Sequence, residues 1–350
     1  MNETKPGKYV RRLQLIGGST YILSLPKRWV TQMTLGKGSP VILVEQDDGS
    51  IVVKPENSEE VEGSTEVVII VETGEEPDLI TRKIASAYIV GYNVIRVRTR
   101  NERLDFSQRS IIKDFTRKKL VGTEIIADSS DEIVMKVLLS YPELSVESAL
   151  RRMCVITSAM HRDSMNALKK LDSDLTRDVI DMDDEVDRFK LYIHRQLRAA
   201  IEDPKVLREA GMSTRTECLG YRLIIQAMER IADYAVEIAE NALMLKKPLE
   251  SELFEQIDSM NISAISMFNE AMKTLFSRNF QLANNIVQNV RQVALLRRDL
   301  MKSVLKTMDS GEASCLSLIV ESITKIAEEA KDIAEVVLNS NIDQVITIAK

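Results

Sequence analysis

Five carboxylates in the second half of the chain are spaced for joint work. Asp183 and Asp187 are four residues apart, as are Glu229 and Asp233, and Asp233 and Glu237. On an α-helix that separation puts each pair on one side. The acids of the first two pairs each follow an apolar position, Met182, Val186, Met228 or Ile231, by one or two residues, which sets them at the edge of a helix contact. Two such edges facing one another form a hard oxygen site suited to iron, manganese or magnesium. The competing reading leaves the same acids in water or paired with Arg188, Lys190 or Arg230. Both stay open on the sequence alone.

A second chemistry lies at the other end. Across residues 1–40, Lys5, Lys8, Arg11, Arg12, Lys27, Arg28 and Lys37 face the single acid Glu3, although the chain as a whole carries a net charge of −6. A cationic head on an acidic chain points to an anionic partner, with a basic solvated surface as the simpler alternative. Catalysis finds no foothold. There is no Ser-His-Asp arrangement, no His-Glu-x-x-His and no Cys-x-x-Cys, and His161 and His194 each sit beside a seam residue, as packed side chains do. Cys154, Cys218 and Cys315 are odd in number, far apart and set in helical patterns, which reads as reduced core or near-core thiols. A non-enzyme is expected. No uncharged apolar run reaches the roughly 20 residues needed to span a bilayer, and the N-terminus lacks the apolar core of a signal peptide, so a cytoplasmic protein is expected, not an integral membrane one.

The elements that must position these residues follow from periodicity. Tyr9 to Ile16 and Thr20 to Leu25 are rich in strand formers and flank Gly17-Gly18-Ser19, predicting a hairpin that places Arg11 and Arg12 on a strand, facing opposite sides. Pro26 opens a short helix carrying Trp29, Val30 and Met33, with Gly36 as its stop. Val41 to Glu45 and Ile51 to Lys54 bracket Asp47-Asp48-Gly49 as a second hairpin, before an acidic linker from Glu56 to Glu62. So small a unit has little interior to bury and leaves open strand edges. A homodimer in which hairpins of two chains interleave into one barrel answers both problems.

Residues 66 to 139 alternate strands (Val67 to Glu72, Val94 to Arg98, Thr123 to Ala127, Ile133 to Leu138) with helices at about Pro77 to Gly91 and Asp105 to Leu120, a small α/β domain whose strand order is not readable and which has no phosphate-binding glycine loop. From Ser145 the chain reads as helix to its end. Leu175, Val179, Met182, Val186, Phe189, Ile193 and Leu197 recur at three and four, as do Ile224, Met228, Ile231, Ala235, Ile238, Ala242 and Leu245. Breaks fall at Asp172-Ser173, Asp203-Pro204 and Lys247-Pro248. Three more helices follow, with Ile286, Val290, Val293, Leu296, Leu300 and Val304 as the seam of the middle one. Ile231 to Glu240 lines up with Ile326 to Glu335, both reading Ile-Ala-acid-x-Ala-x-acid-Ile-Ala-Glu, which predicts a duplicated three-helix bundle. In the second copy Thr324 takes the slot of Glu229, while Val290 and Ala294 take those of Asp183 and Asp187, so any oxygen site there is expected to be weak or absent. The expected architecture is a mainly α multi-domain chain, divided at 1–56, 63–142, 145–248 and 251–345.

Met228 to Glu240, with Asp183-Asp184-Glu185-Val186-Asp187 on the preceding helix, resembles the signature of the PhoU family, over about Ser145 to Ser340. That resemblance implies tandem three-helix bundles, regulation of phosphate uptake together with a phosphate ABC transporter, and in some members metal clusters held by acid-x-x-x-acid motifs. Gly17 to Trp29, with Leu35-Gly36-Lys37-Gly38 and the Asp-Asp-Gly hairpin, resembles the AbrB, MazE and SpoVT swapped-hairpin family of dimeric DNA-binding proteins. The combination is similar to archaeal phosphate-uptake regulators. It makes Lys8, Arg11, Arg12, Lys27 and Arg28 the candidates for DNA, since a duplex is held first through its phosphates. Two functions are then in play. One is a phosphate-responsive transcriptional regulator; the other is an adaptor docked on a transporter subunit, its barrel serving only to dimerise.

Overall fold

The computed structural model describes residues 9–45, 49–56, 66–100, 103–138, 144–307 and 310–347. It forms two compact units, residues 1–64 and 65–350.

In the first unit β1 (Gln14–Ile16) and β2 (Thr20–Ile22) pair antiparallel, Ile16 opposite Thr20. Gly17 and Gly18 turn between them at φ of 64° and 80°, backbone that glycine adopts without a Cβ penalty. The strand is shorter than expected: Tyr9 to Leu13 lie outside it, and so do Arg11 and Arg12. Helix α1 (Lys27–Gln32) starts after the extended Pro26, whose carbonyl accepts from the Val30 N–H. Its stop is not Gly36. Thr34 takes the left-handed position at φ 55°, with Thr34 N–H bonded to Thr31 O and Leu35 N–H to Val30 O, closing the helix two residues early. Strands β3 (Val41–Glu45) and β4 (Ile51–Pro55) make the second hairpin. Asp47 and Asp48 of its turn, and most of the acidic linker, lie outside the described residues.

Each hairpin stays two-stranded, and among the described residues no barrel closes within one chain. A lone hairpin has no second layer to cover it. Leu15, Tyr21, Leu43 and Ile51 are accordingly all more than half exposed.

The second unit begins with a four-stranded sheet. Its strands are β5 (Glu66–Val71), β6 (Val94–Thr99), β7 (Thr123–Asp128) and β8 (Glu132–Val137), ordered β5-β6-β8-β7. Only β5 and β6 run parallel, joined through α2 (Pro77–Val90); β8 pairs antiparallel with both β6 and β7. Helix α3 (Phe106–Lys119) is started by a capping box, in which the Asp105 carboxylate accepts from Gln108 N–H and Gln108 Oε1 from Asp105 N–H. Ile80, Ile84 and Tyr88 of α2 and Ile112 of α3 pack with Val71, Ile95, Val97, Ile133 and Met135 of the sheet in one core.

Long helices make up the rest: α4 (Val146–Lys170), α5 (Ser173–Glu202), the short α6 (Pro204–Glu209), α7 (Glu217–Ala242), α8 (Ser251–Ser277), α9 (Phe280–Thr307) and α10 (Ser310–Ser340). The breaks carry the expected chemistry. Ser145 caps α4 through Ser148 N–H, Asp172 caps α5 through Asp174 and Leu175, and Asp203 caps α6 ahead of Pro204. The duplicated helices α7 and α10 lie against each other, and the seams of both triplets join one continuous core.

Helix α5 also seats the α/β layer. Arg195 is 4% exposed and caps the C-terminal end of α2: its guanidinium donates to Tyr88 O (2.6 Å), Tyr92 O (2.9 Å), Gly91 O (3.2 Å) and Asn93 Oδ1 (2.6 Å) and stands 5.0 Å from the centroid of the Tyr88 ring.

Candidate functional site

The acids come together with two lysines where α3, α5 and α7 meet. The last turn of α3 is Arg117-Lys118-Lys119, cations at the end of a helix where its dipole favours them. Lys119 Nζ lies 2.6 Å from Asp184 Oδ1 and 2.8 Å from Asp187 Oδ2. Lys190, three residues after Asp187 on α5, bridges Asp187 Oδ1 (3.0 Å) to Glu229 on α7. An alternating ladder of charge thus joins the three helices. Of the expected alternative partners, Lys190 is used, whereas Arg230 forks to Glu329 on α10 and Arg188 reaches Glu185.

Charge does not balance on this face. Asp183, Asp184, Asp187, Glu229 and Asp233 stand against Lys119 and Lys190. Asp183 Oδ1 is buried with no hydrogen-bond partner. Burial, with Asp187 and Asp233 nearby, pushes its carboxyl up to about 7. Asp233 is pushed up to about 6 by burial and by Glu229 and Asp187. Burial acts on Asp187 in the same direction, but the ammoniums of Lys119 and Lys190 outweigh it and hold this carboxyl below its usual range. On the same helix, burial and the cations Arg222 and Lys190 lower His194 to about 4, leaving a neutral ring whose Nε2 is buried without a partner.

This donor set fits a hard cation in chemistry: carboxylate oxygens, an excess of negative charge and one orphaned buried oxygen. Its geometry is that of a lysine-bridged ladder. Among the described residues no group of three or more His, Cys, Asp or Glu side chains gathers as a metal ion would need. Glu237 is turned away, its Oε2 accepting from Ser322 Oγ on α10 at 2.8 Å. In the second bundle Thr324 is buried and donates to Val320 O, one turn back in its own helix. A cavity of about 590 Å³ between α4 and α8, lined by Ser158, Asn261 and Lys273 among others, contains none of the five candidate acids.

In the N-terminal unit Arg11, Arg12, Lys27 and Arg28 are all exposed, and Lys8 lies outside the described residues. Arg11 donates to Val10 O and lies 5.6 Å from the Tyr9 ring centroid. None of the four forms an ion pair with an acid among the described residues. Two features escaped sequence reasoning. Lys119 is separated from Asp187 by too much chain for spacing to link them, and Arg195 carries no motif at all. The basic triplet ending α3 was the available signal for the first.

The PhoU domain model matches residues 150–242 and 257–337. The model for the antidote-toxin recognition protein MazE, a bacterial antitoxin, matches residues 14–61. A curated relative, the phosphate-specific transport system accessory protein PhoU homolog of Clostridium acetobutylicum, is 21% identical over 197 residues, 54% of this chain and 88% of its own. The crystal structure of PhoU from Pseudomonas aeruginosa is 20% identical, covering 57% of this chain and 96% of its own at a TM-score of 0.49. That of the phosphate transport system regulatory protein PhoU from Streptococcus pneumoniae is 15% identical, covering 58% and 96% at 0.48. No helix among the described residues is long and apolar enough to cross a membrane. With two PhoU domains in tandem behind a MazE-type segment, the chain belongs to the PhoU family.

Proposed function

We propose that this protein regulates phosphate uptake as a cytoplasmic, non-catalytic, DNA-binding homodimer. Supporting this is the union of a PhoU tandem with a segment of MazE type whose Arg11, Arg12, Lys27 and Arg28 are exposed and, among the described residues, form no ion pair. Two copies of the N-terminal hairpins cover each other's apolar faces and offer a duplex a doubled set of cations, including Lys8. The four-part division at 1–56, 63–142, 145–248 and 251–345 assigns DNA to the first part, relay to the second and sensing or docking to the bundles. Asp183, Asp187, Glu229 and Asp233 would be the residues to hold iron, manganese or magnesium once Lys119 and Lys190 give up Asp187 and Glu229, with Glu237 free to join only by leaving Ser322; such a cation would take over the positive charge of the ladder. Elemental analysis of the purified protein and of Asp187→Asn tests that assignment.

The DNA assignment is tested by mobility shift on promoters of phosphate-uptake genes across a salt series. Each phosphate contact contributes a slope of about 0.9 in log K against log salt, so Arg11→Ala with Arg12→Ala lowers the slope by about 2 per chain if both touch phosphate. Unchanged binding in that variant, or binding indifferent to salt, overturns it. The adaptor reading draws on the relative's description as a transport-system accessory protein. Capture by membranes containing the transporter that survives removal of residues 1–64, together with absent DNA binding, favours that reading.

A further inference from the structure

Behind the lysine ladder, where the last turn of α3 meets β7 and α5, lies a cavity of about 240 Å³. Arg117, Gly122, Thr123 and Arg188 line it. Two of these lining residues carry a hydrogen-bonding group that is buried without a partner: Thr123 Oγ1, on a residue 7% exposed, and Arg188 Nε. Native folds rarely bury such groups unpaired, and a pair of them at one cavity calls for a ligand made of acceptors. Both guanidinium groups have capacity to spare. Arg117 forms no ion pair among the described residues, and Arg188 spends only Nη1 on Glu185, at 3.4 Å.

The surroundings agree with an anion. Gly122, at φ 65°, reverses the chain from α3 into β7 at the cavity's edge. Glu124 borders it too, but strand alternation turns its side chain to the face opposite Thr123, and in register it stands across from Lys136. Planar guanidinium forks match the oxygens of a tetrahedral oxyanion two at a time, and a hydroxyl adds a third donor.

We propose that this cavity binds a tetrahedral oxyanion, either inorganic phosphate or the terminal phosphate of a phosphomonoester, between Arg117 and Arg188 with Thr123 as hydroxyl donor. Its physiological sense rests on the phosphate-uptake reading; the binding chemistry does not. Arg117 belongs to the α/β layer and Arg188 to the bundle, one helical turn from the Asp184 that Lys119 holds. The bound anion therefore adds a second tie between the two layers beside the ladder, and its release leaves the end of α3 held through Lys119 alone.

Titration calorimetry on the full chain without DNA, at constant ionic strength, tests the site with inorganic phosphate, sulfate and a sugar phosphate in separate arms. Saturable binding of one phosphate per chain is expected. Arg188→Gln weakens it about tenfold or more, the loss of charge-assisted hydrogen bonds. Arg117→Gln and Thr123→Val, which remove an exposed charge and a single hydroxyl, weaken it by smaller factors and stand as checks if Arg188→Gln proves unstable. Tighter binding of the sugar phosphate assigns the monoester as the source, and tighter phosphate the free ion; sulfate bound with the same dependence on Arg188 supports an oxyanion site. No saturable heat with any of the three, or affinity unchanged in all three variants, overturns the proposal. Loss of phosphate binding with DNA binding intact sinks the cavity alone, whereas retained phosphate binding without any effect on DNA or transporter sinks the functional reading alone.

Discussion

Replacing Arg195 by Met removes the clamp between α5 and the end of α2 while keeping an apolar stem of similar length. In the wild type the guanidinium satisfies the carbonyls of Tyr88, Gly91 and Tyr92 and the side chain of Asn93, and it is 4% exposed, so solvent screens little of this. A hydrogen bond with a charged donor contributes about 1.5–3 kcal/mol net. Their sum overstates the loss, because the variant no longer bears the several kcal/mol of desolvating a buried cation. A net destabilisation of about 3–5 kcal/mol follows. For a unit this large that corresponds to about 2 °C per kcal/mol, hence a fall in melting temperature of roughly 6–10 °C. Because the chain has more than one unit, hydrogen exchange read by segment is the better assay: residues 66–99 should lose protection while α7 and α10 keep theirs. Arg195→Lys, which keeps the charge but not the fork, should fall between. A loss below 1 kcal/mol, or equal loosening of α10, would refute the view that this guanidinium is what seats the α/β layer.

Other expectations concern the ladder and the bundle interface. Asp183 and Asp233 titrate in the folded protein at about 7 and about 6, above the ordinary carboxylate range, so the native state holds more protons than the unfolded one between about pH 4 and 7. Stability therefore falls as pH rises through that window, and urea midpoints for Asp183→Asn should show a weaker dependence than the wild type; equal slopes speak against it. Lys119→Met should lift Asp187 out of its lowered range, seen by NMR as a carboxyl titration midpoint at higher pH, and no movement there means the ion pair is absent in solution. At Gly220 an added Cβ would meet Val336 Cγ1 at 2.8 Å. Overpacking costs about 1–3 kcal/mol against a gain of about 1 kcal/mol in helix propensity, so Gly220→Ala should destabilise by about 1 kcal/mol and Val336→Ala should restore it.

Much of the helical region is legible because a buried stripe leaves a periodic trace. Ile224, Met228, Ile231, Ala235, Ile238 and Ala242 are all buried where spacing puts them, and so are Val179, Val186, Phe189, Ile193 and Leu197. Leu296 departs from its expected seam and is 45% exposed, since Val293 and Leu300 already fill the stripe of α9 and leave it at the margin. Local ion pairs are also legible, as with Lys190 three residues from Asp187. Long-range ones are not. Nothing in the spacing ties Lys119 to α5, because that pairing is set by how α3 lies across the bundle. Helix α1 stops by a left-handed Thr34, which composition does not favour, where Gly36 was the obvious candidate. The sheet order escapes for the same reason as Lys119: hydrophobic alternation says that a strand is covered, not which strand lies beside it.

The duplicated helices α7 and α10 meet back to back and their seams merge. Two triplets soldered in this way share one interior, so neither can be repacked without disturbing the other. In the proposed relay, a message received by these bundles leaves through what is fastened to their flank, the end of α2 gripped by Arg195 and the tip of α3 gripped through Lys119.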